Sequence, residues 1–368
     1  MERIILDRST LERYASCPQS GYLGRIYDAL VAQNRGQKIT EEEKALLAEM
    51  DSDLRKRMEQ EATAEKTDKL RTTGALVHEL IERAFQECRN DISGVPDWFS
   101  ERLPSIRPDV HPDAIRAARY VADCLADFHT NLIGVEVQIE HEFLPPLKSR
   151  GPVYLTTRLD VLSSGKSGLH VWDWKCGYKK RSNSEAAASF QAQFIAFLLW
   201  QQPEYESINT VHFWYQEVRW GTVAYARFIR GEEHPRLPHL TTEAAIKGRI
   251  ESSVRLYLEN NKECWPEDSK CLQCDYVRYC NLAASEAAEI AEDPKGFVDK
   301  LIVDAASVQR RQKAVNEWVR AHGPLAGTKM VFDKKPPSNR FTVELRRIDA
   351  QRPECSLTGD EDIDNHFI

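Results

Sequence analysis

Residues 157–175, TRLDVLSSGKSGLHVWDWK, carry the pattern that decides the fold of this chain. Apolar and β-branched residues on either side of SSGKSG predict two strands joined by a tight turn. We centre that turn on residues 165–166. Alternation of side chains then gives the hairpin a polar face and an apolar face, formed by Asp160, Asp173 and Lys175 and by Trp172 and Trp174, respectively.

The polar face of this hairpin predicts a metal site. In the chosen register Asp160 and Asp173 are diagonal neighbours, roughly 7–8 Å apart. Two carboxylates at that separation can converge on one hard cation, with Lys175 beside it. A surface hairpin with solvated charges is the alternative. Because a one-residue shift of register would separate these side chains, the prediction depends on the turn.

Length and composition predict one large domain with appendages, since 368 residues, 42% of them hydrophobic, can bury a sizeable core. No apolar run approaches the roughly 18 residues of a membrane span, and the first residues do not resemble a signal peptide. Nine cysteines then predict a reducing, cytoplasmic compartment, where clustered cysteines favour metal binding over disulfides. The net charge of −7 does not exclude nucleic acid, because residues 148–181 hold eight Lys and Arg against two acidic residues.

A helix before the hairpin carries another candidate ligand. Gly74, His78 and Glu82 recur every four residues and therefore share one helical face, next to the apolar stripe of residues 73–87. A lone histidine at such a position is usually packed and hydrogen-bonded. As a ligand it would add a nitrogen donor to the two carboxylates. Glu142, on the strand before the hairpin, is a weaker candidate.

Two further features follow the hairpin. Gln191 lies at the start of a predicted apolar helix, where incidental glutamines are the plain alternative to a function. Lys179, Lys180 and Arg181 form a basic run. Such runs are usually solvated, but beside a site that cuts phosphodiesters they would contact DNA phosphates irrespective of sequence.

The cysteines predict a second metal centre. Cys271, Cys274 and Cys280 form C-x2-C-x5-C, and Cys17 supplies a distant fourth thiol. Thiolates two residues apart across a tight turn are a strong metal signal, for which zinc is the default. Cys264 is near enough in sequence to be a competing ligand.

Together these motifs resemble the RecB-like branch of the PD-(D/E)XK nucleases over roughly residues 6–282. One cysteine near the start with three near the end resembles the iron–sulfur members, which include the AddB type and the CRISPR-associated four-cysteine nucleases. The resemblance implies an α/β, restriction-endonuclease-like mixed sheet flanked by helices. It also implies a [4Fe–4S] cluster on the four cysteines, joining both ends of the domain as a structural clip.

The same resemblance implies the chemistry of the hairpin site. Mg²⁺ or Mn²⁺ would be held by His78, Asp160, Asp173 and the Trp174 carbonyl, with Lys175 acting on the attacking water or the phosphorane oxyanion. Gln191 would open the family's QxxxY motif near the scissile strand. The sequence departs from that motif, because Ile195 stands where the tyrosine belongs. Another register of the motif pairs Gln193 with Phe197.

The implied activity is hydrolysis of DNA, most simply by an exonuclease acting on single strands or duplex ends in recombination or repair, including a phage setting. A recombination protein or a single-stranded-DNA-binding protein is the implied protein partner. Two alternatives remain open. One is a non-catalytic nucleic-acid-binding protein of the same fold, and the other is a zinc-stabilised adaptor.

We divide the chain into a nuclease core with the iron–sulfur clip, a C-terminal helical and hairpin extension, and a disordered acidic tail, at residues 1–283, 284–352 and 353–368. A solvated helical insertion is predicted over residues 31–70, and a loop over the proline-containing residues 91–110. The tail is either an inert solubilising segment or one that competes with DNA for the basic run.

Overall fold

A computed structural model describes residues 3–63, 69–88, 92–102, 131–144, 151–177, 180–232 and 241–265 as continuous stretches. It also describes isolated residues between 116 and 123 and between 271 and 299, and three short strands near the end. The predicted acidic tail and Lys179 lie outside the described residues. Two compact units are present, one formed by Met1–His234 with Leu240–Ser285 and the other by Pro235–His239 with Glu286–Ile368.

In the part of the chain that the structure describes, the first unit contains nine α-helices, α1 to α9, and six strands. The helices are α1 (Arg8–Ser16), α2 (Pro18–Asn34), α3 (Glu41–Glu49), α4 (Ser52–Thr63), α5 (Lys69–Glu87), α6 (Val95–Arg102), α7 (Asn183–Ala188), α8 (Phe190–Trp200) and α9 (Glu243–Leu258). The strands are β1 (Ile4–Asp7), β2 (Asn131–Phe143), β3 (Val153–Gly165), β4 (Gly168–Lys175), β5 (Thr210–Glu217) and β6 (Thr222–Ile229). Short 3₁₀ turns occupy Ile92–Gly94 and Pro203–Tyr205.

The second unit contains a small antiparallel sheet, described by itself. Its strands are β7 (Leu325–Ala326), β8 (Met330–Lys334) and β9 (Val343–Arg347), in the order β7-β8-β9. Strands β8 and β9 pair antiparallel within residues 284–352, for which the sequence predicts a helical and hairpin extension. Among the described residues, none of the helices is both long enough and apolar enough to cross a membrane.

The six strands of the first unit form one mixed sheet. Its main path is β1-β3-β4-β5-β6, with β2 paired to β3 outside that path. The pairs β1–β3 and β4–β5 are parallel, whereas β2–β3, β3–β4 and β5–β6 are antiparallel. This mixed sheet flanked by helices confirms the predicted fold class.

Along one edge, the long strand β3 pairs first with β1 and then with β4, and a gap remains between these two partners. Strand β1 pairs with the segment from Val153 to Thr156, and β4 pairs with the segment from Val161 to Gly165. Residues 157–160 therefore face the space between the end of β1 and the end of β4. Asp160 is the last residue of that gap, so the topology itself opens a crevice at the predicted site.

Helices cover both faces of the sheet. The apolar face of the hairpin, with Trp172 and Trp174, packs against α5 and α6 in one buried cluster. Helix α8 is buried along its whole length and meets the opposite face, where Gln191 contacts Asp173. The tryptophans and Asp173 therefore lie on opposite faces of the hairpin, as side-chain alternation predicts.

A row of aromatic rings lies within the apolar side of this sheet. The imidazoles of His170 and His212, paired across β4 and β5, stack with centroids 4.4 Å apart. Trp172 and Trp214 extend the stack. Burial lowers the pKa of His170 to about 3 and that of His212 to about 4, so both rings are neutral at ordinary pH.

The register of the hairpin differs from the prediction by two residues. The structure pairs Gly165 with Gly168 around a two-residue turn, and Val161 with Trp172. Gly168 has φ +140°, and an added Cβ there would lie 2.3 Å from the Thr210 carbonyl oxygen, so glycine sets where β4 begins. A shift of two residues preserves the faces of the strand. The prediction that Asp160 and Asp173 are diagonal neighbours is wrong, because in the observed register Asp160 lies directly opposite Asp173.

Two other expectations are wrong. Residues 92–102 are helical rather than loop, because Pro96 falls in the first turn of α6, where proline needs no hydrogen-bond partner. The helical insertion is not merely solvated. Leu46 and Leu47 of α3 and Met58 of α4 are buried against α2.

Candidate active site

The gap beside β3 gathers side chains from three elements. Asp160 comes from β3, and Asp173 with Lys175 comes from the end of β4. His78 reaches the same place from α5. The Asp160 carboxylate accepts a hydrogen bond from the Trp174 backbone N–H at 2.8 Å, which fixes its position at the end of the β3–β4 ladder.

The imidazole of His78 lies at the centre of the gap. Its Nδ1 is 3.5 Å from Asp160 Oδ1 and 3.9 Å from Glu136 Oε1, and its Nε2 is 3.2 Å from the Trp174 carbonyl oxygen. Burial alone would lower the pKa of His78. The hydrogen bond and the charge of Asp160, with the charges of Asp173 and Glu136, outweigh burial and raise it. His78 is therefore an oriented polar group rather than a packed core residue.

Glu136 is the acidic residue that the sequence analysis missed. Its neighbours Val135 and Val137 pair with Val161 and Leu159, so Glu136 lies opposite Asp160. Its φ of 52° is in the left-handed region that non-glycine residues rarely adopt. Burial and the nearby Asp160 raise its pKa against the charges of Arg158 and His78. A strained, nearly buried glutamate thus extends the row of carboxylates to a third strand.

The residues of this row fit a divalent ion. Ligand atoms of His78, Glu136 and Asp160 all lie within 4.8 Å of one another. Donors that share an ion at bond lengths of about 2.0–2.2 Å are separated by somewhat less than this, so only small side-chain movements are needed. The two carboxylates are the hard oxygen donors that suit Mg²⁺ or Mn²⁺, and His78 adds one nitrogen donor to them. The ligand suggested earlier, Glu142, is exposed and bonds Tyr154 instead, at the other end of β2.

Asp173 has a different environment from Asp160. Gln191 donates a hydrogen bond to its Oδ1 at 2.5 Å, and Lys175 Nζ lies 2.5 Å from its Oδ2. Burial, opposed by Lys175 and reinforced by the charge of Asp160, raises the pKa of Asp173. Asp173 therefore connects the row of carboxylates to the side chains on α8 and to the lysine.

Of the two glutamines weighed from the sequence, the structure brings only Gln191 to the site. Gln193 instead bonds the Ala187 carbonyl and Arg249. Ile195 is buried at 1% exposure and has no polar role. A tyrosine is nevertheless present beside Gln191, because Tyr215 of β5 donates a hydrogen bond to its Oε1 at 3.4 Å. Tyr215 could not be found from the motif, since it comes from another element.

The basic run divides into unlike members. Lys180 is exposed. Arg181 is largely buried, and its Nη1 lies 2.6 Å from Oε1 of Glu217, whose side chain is fully buried. Lys179 lies outside the described residues. The guanidinium of Arg181 is therefore held in place by Glu217, whereas Lys180 is the solvated charge that the sequence predicts.

Cys264 brings two of the predicted thiol ligands, one from each end of the core, near each other. Cys264 Sγ is 3.4 Å from Cys280 Sγ, and Cys264 also interacts with Cys17. Cys274 Sγ is 3.7 Å from the hydroxyl of Ser20, which follows Cys17 by three residues. Cys17 itself accepts a hydrogen bond from the Trp265 backbone N–H at 3.4 Å. Cys264 thus lies beside Cys280 and Cys17, but among the described residues no three of these thiols lie within 4.8 Å of one another as ligands of one metal ion would.

Comparison with known proteins gives the family of this chain. A family model described as the PD-(D/E)XK nuclease superfamily matches residues 8–281, which include every residue of the site above. The chain belongs to this superfamily. PD-(D/E)XK membership accounts for a divalent-metal site of histidine and carboxylates on a mixed sheet, and it implies a nucleic-acid substrate.

Two further comparisons add little to the family assignment. None of the curated proteins compared with the sequence matches it. Among solved structures, one titled "Crystal structure of SSO0001" is similar to this chain at 14% sequence identity, covering 56% of this chain and 84% of that chain with a TM-score of 0.29.

Proposed function

We propose that this PD-(D/E)XK protein is a metal-dependent deoxyribonuclease. One observation carries the proposal. Ligand atoms of His78, Glu136 and Asp160 lie within 4.8 Å of one another. Next to them in the gap of the sheet is the ion pair of Asp173 and Lys175. A cation beside a lysine can activate water and stabilise the charge that develops on the phosphate when a phosphodiester is hydrolysed.

The ion would be Mg²⁺ or Mn²⁺, held by His78, Asp160, Asp173 and the Trp174 carbonyl, with Glu136 as a further ligand. Such an ion lowers the pKa of its bound water and neutralises charge that develops on the phosphate. The Trp174 N–H keeps Asp160 turned into the gap, and the ring of His78 is held from both sides.

Lys175 and Gln191 act on Asp173 from opposite sides. Lys175, beside Asp173, would supply an ammonium that can orient an attacking water or stabilise the oxyanion of the phosphorane. Gln191 fixes the Asp173 carboxylate through its Oδ1. Because Gln191 and Lys175 contact different oxygens of Asp173, its carboxylate would meet the ion in a fixed orientation.

We also propose that Cys17, Cys271, Cys274 and Cys280 hold a [4Fe–4S] cluster with a structural role. Cluster ligation requires thiolates from separate parts of the chain to meet. The approach of Cys264 to both Cys280 and Cys17, which come from opposite ends of the core, is the observation in favour of it. Cys264 competes with Cys271 for the fourth position. Zinc remains the alternative metal for the same thiols.

Exonuclease action at single strands or duplex ends, in recombination or repair, is the finer proposal. End-labelled single- and double-stranded DNA should be incubated with Mn²⁺, with EDTA as the metal-free control. Release of short labelled products from the ends supports an exonuclease, and internal fragments indicate an endonuclease. DNA that is bound but never cut would instead favour the non-catalytic alternative.

A matched pair of variants assigns any cleavage to this site. Lys175→Ala should lose cleavage, whereas Lys166→Ala, which removes an exposed lysine from the turn of the same hairpin, should keep it. Equal activity in the two variants would show that a contaminating nuclease or another site is responsible.

A further inference from the structure

We propose that Arg181 binds the phosphate at the cleavage site and that Glu217 and Tyr215 hold it there. This inference rests on the proposed nuclease activity and adds a substrate contact and two positioning residues to it. It begins from the finding that Arg181 is not a freely solvated member of the basic run. Its side chain is only 22% exposed.

Glu217 is the group that fixes Arg181. Its side chain is fully buried, Oε1 pairs with Arg181 Nη1 at 2.6 Å, and Oε2 has no hydrogen-bond partner within the described part of the chain. A buried carboxylate with one cationic partner is costly, and such a pair adds little stability by itself. Its evident effect is to hold the guanidinium in one place.

That place is the active site. Glu217 is the partner of Lys175 in the β4–β5 ladder. Two residues earlier on β5, the ring of Tyr215 lies 4.9 Å from the Arg181 guanidinium carbon and 5.5 Å from Lys175 Nζ. One aromatic ring therefore supports both cations.

Tyr215 is itself fixed by the site. Its hydroxyl lies 2.7 Å from Ser189 Oγ and donates to Gln191, which in turn donates to Asp173. The ring is 1% exposed, so it does not reach the substrate. Tyr215 is a positioning residue that links Arg181 rigidly to the carboxylate opposite Asp160.

The chemistry of the guanidinium identifies its ligand. Arg has five N–H donors in a planar fork, and among the described residues only Nη1 of Arg181 has a hydrogen-bonding partner. The remaining donors suit two oxygens of a phosphodiester. Fixed next to Lys175, they contact the phosphate that is cut, whereas the exposed Lys180 contacts a neighbouring phosphate through charge alone.

Kinetics on a short single-stranded oligonucleotide with Mn²⁺ separates these roles. We expect Arg181→Ala to lower kcat by about 100-fold, the scale of a lost transition-state donor. Lys180→Ala should mainly raise KM, and Lys166→Ala should match the wild type. Arg181→Lys, which keeps the charge but loses the fork, should lie between Arg181→Ala and the wild type.

Glu217→Gln tests whether Glu217 positions Arg181, because the buried Glu217 side chain does not touch the substrate itself. It should lower kcat about tenfold, and the double variant Arg181→Ala/Glu217→Gln should be no slower than Arg181→Ala, since both act through one group. If the losses in kcat of the two single variants multiply in the double variant, the role of Glu217 is overturned.

An Arg181→Ala variant that behaves like Lys180→Ala while the wild type cuts DNA would overturn the inference alone. A wild type that does not cut DNA would overturn the proposed function and the inference with it.

Discussion

The carboxylate of Asp160 accepts a hydrogen bond from the backbone N–H of Trp174 at 2.8 Å, where the ladder of β3 and β4 ends. The side chain therefore continues the pairing that the two main chains no longer make. A proposed metal ligand is at the same time a structural connection between two strands. This double role separates Asp160 from the other residues of the site.

Asp160→Ala should consequently reduce both cleavage and stability. Loss of a hydrogen bond to a carboxylate costs about 1.5–3 kcal/mol of unfolding free energy. Lys175→Ala should abolish cleavage to a similar extent while leaving the hydrogen bond from Trp174 to Asp160 intact. Any loss of stability in that variant comes instead from the buried Asp173, which loses its cationic partner. Urea denaturation and cleavage assays on both variants check this, and an Asp160→Ala protein as stable as the wild type would contradict it.

Glu136→Gln should weaken Mn²⁺ binding by about tenfold or more, since removal even of groups that only support a ligand costs 10–100-fold. Its matched control is Glu142→Gln, which changes an exposed glutamate on the same strand. Calorimetric titration of Mn²⁺ into both proteins measures the effect without any substrate. Equal affinities would exclude Glu136 from the ligand set.

The cysteine group makes a prediction that does not involve activity. Protein purified without oxygen should be brown, with the visible absorption of a thiolate-bound iron–sulfur cluster. Cys17→Ser should lose the colour as fully as Cys274→Ser, because ligands are needed from both ends of the core. The control is Cys88→Ser, which removes a thiol outside the proposed ligand set. Iron and sulfide analysis decides the matter, and a colourless protein with one bound zinc would establish the alternative.

Cys264 needs its own variant, because it touches Cys280. If Cys271 is the fourth ligand, Cys264→Ser should retain iron and Cys271→Ser should lose it. The reverse result would assign Cys264 to the cluster.

The stacked histidines predict a pH dependence of stability. His170 and His212 have pKa values of about 3 and about 4 in the folded protein, against about 6.5 in the unfolded chain. As pH falls below 6.5, the unfolded chain takes up protons that the folded protein does not. Unfolding free energy should therefore fall by up to about 1.4 kcal/mol per pH unit for each ring.

Urea midpoints measured between pH 6.5 and pH 5 test this. His170→Asn removes one of the two rings, so its stability should vary less steeply with pH than that of the wild type, whatever its stability at neutral pH. Identical slopes would show that the stack does not control the acid sensitivity.

The sequence predicted the faces of the hairpin because side-chain alternation survives any even shift of register. It did not predict the register, since SSGKSG permits more than one turn and only the close approach of Gly168 to Thr210 selects the one observed. His78 and Gln191 were predicted through the family resemblance. Their distances to Asp160 and Asp173 follow from tertiary packing, which no local pattern contains.

Glu136 was missed for a physical reason. The pairing of β2 with β3 shifts between Leu132 and Gly134, and Glu136 then takes a left-handed φ. Regular alternation over residues 134–144 hides both events. A polar residue near a glycine in an otherwise alternating strand is the available signal, because such glycines often mark bulges.

The pairing of β1 with β3 also constrains how the protein is made. Ile4 pairs with Val153, so the first strand has no partner until a chain segment far along the sequence has been synthesised. At ribosomal rates of about 5–20 residues per second, that wait lasts roughly 7–30 s. During this time a short apolar strand has no partner in the sheet and must avoid wrong pairings, and neither β3 nor Asp160 has yet been synthesised. The candidate site therefore cannot assemble until β3, β4 and α8 have followed β1 out of the ribosome.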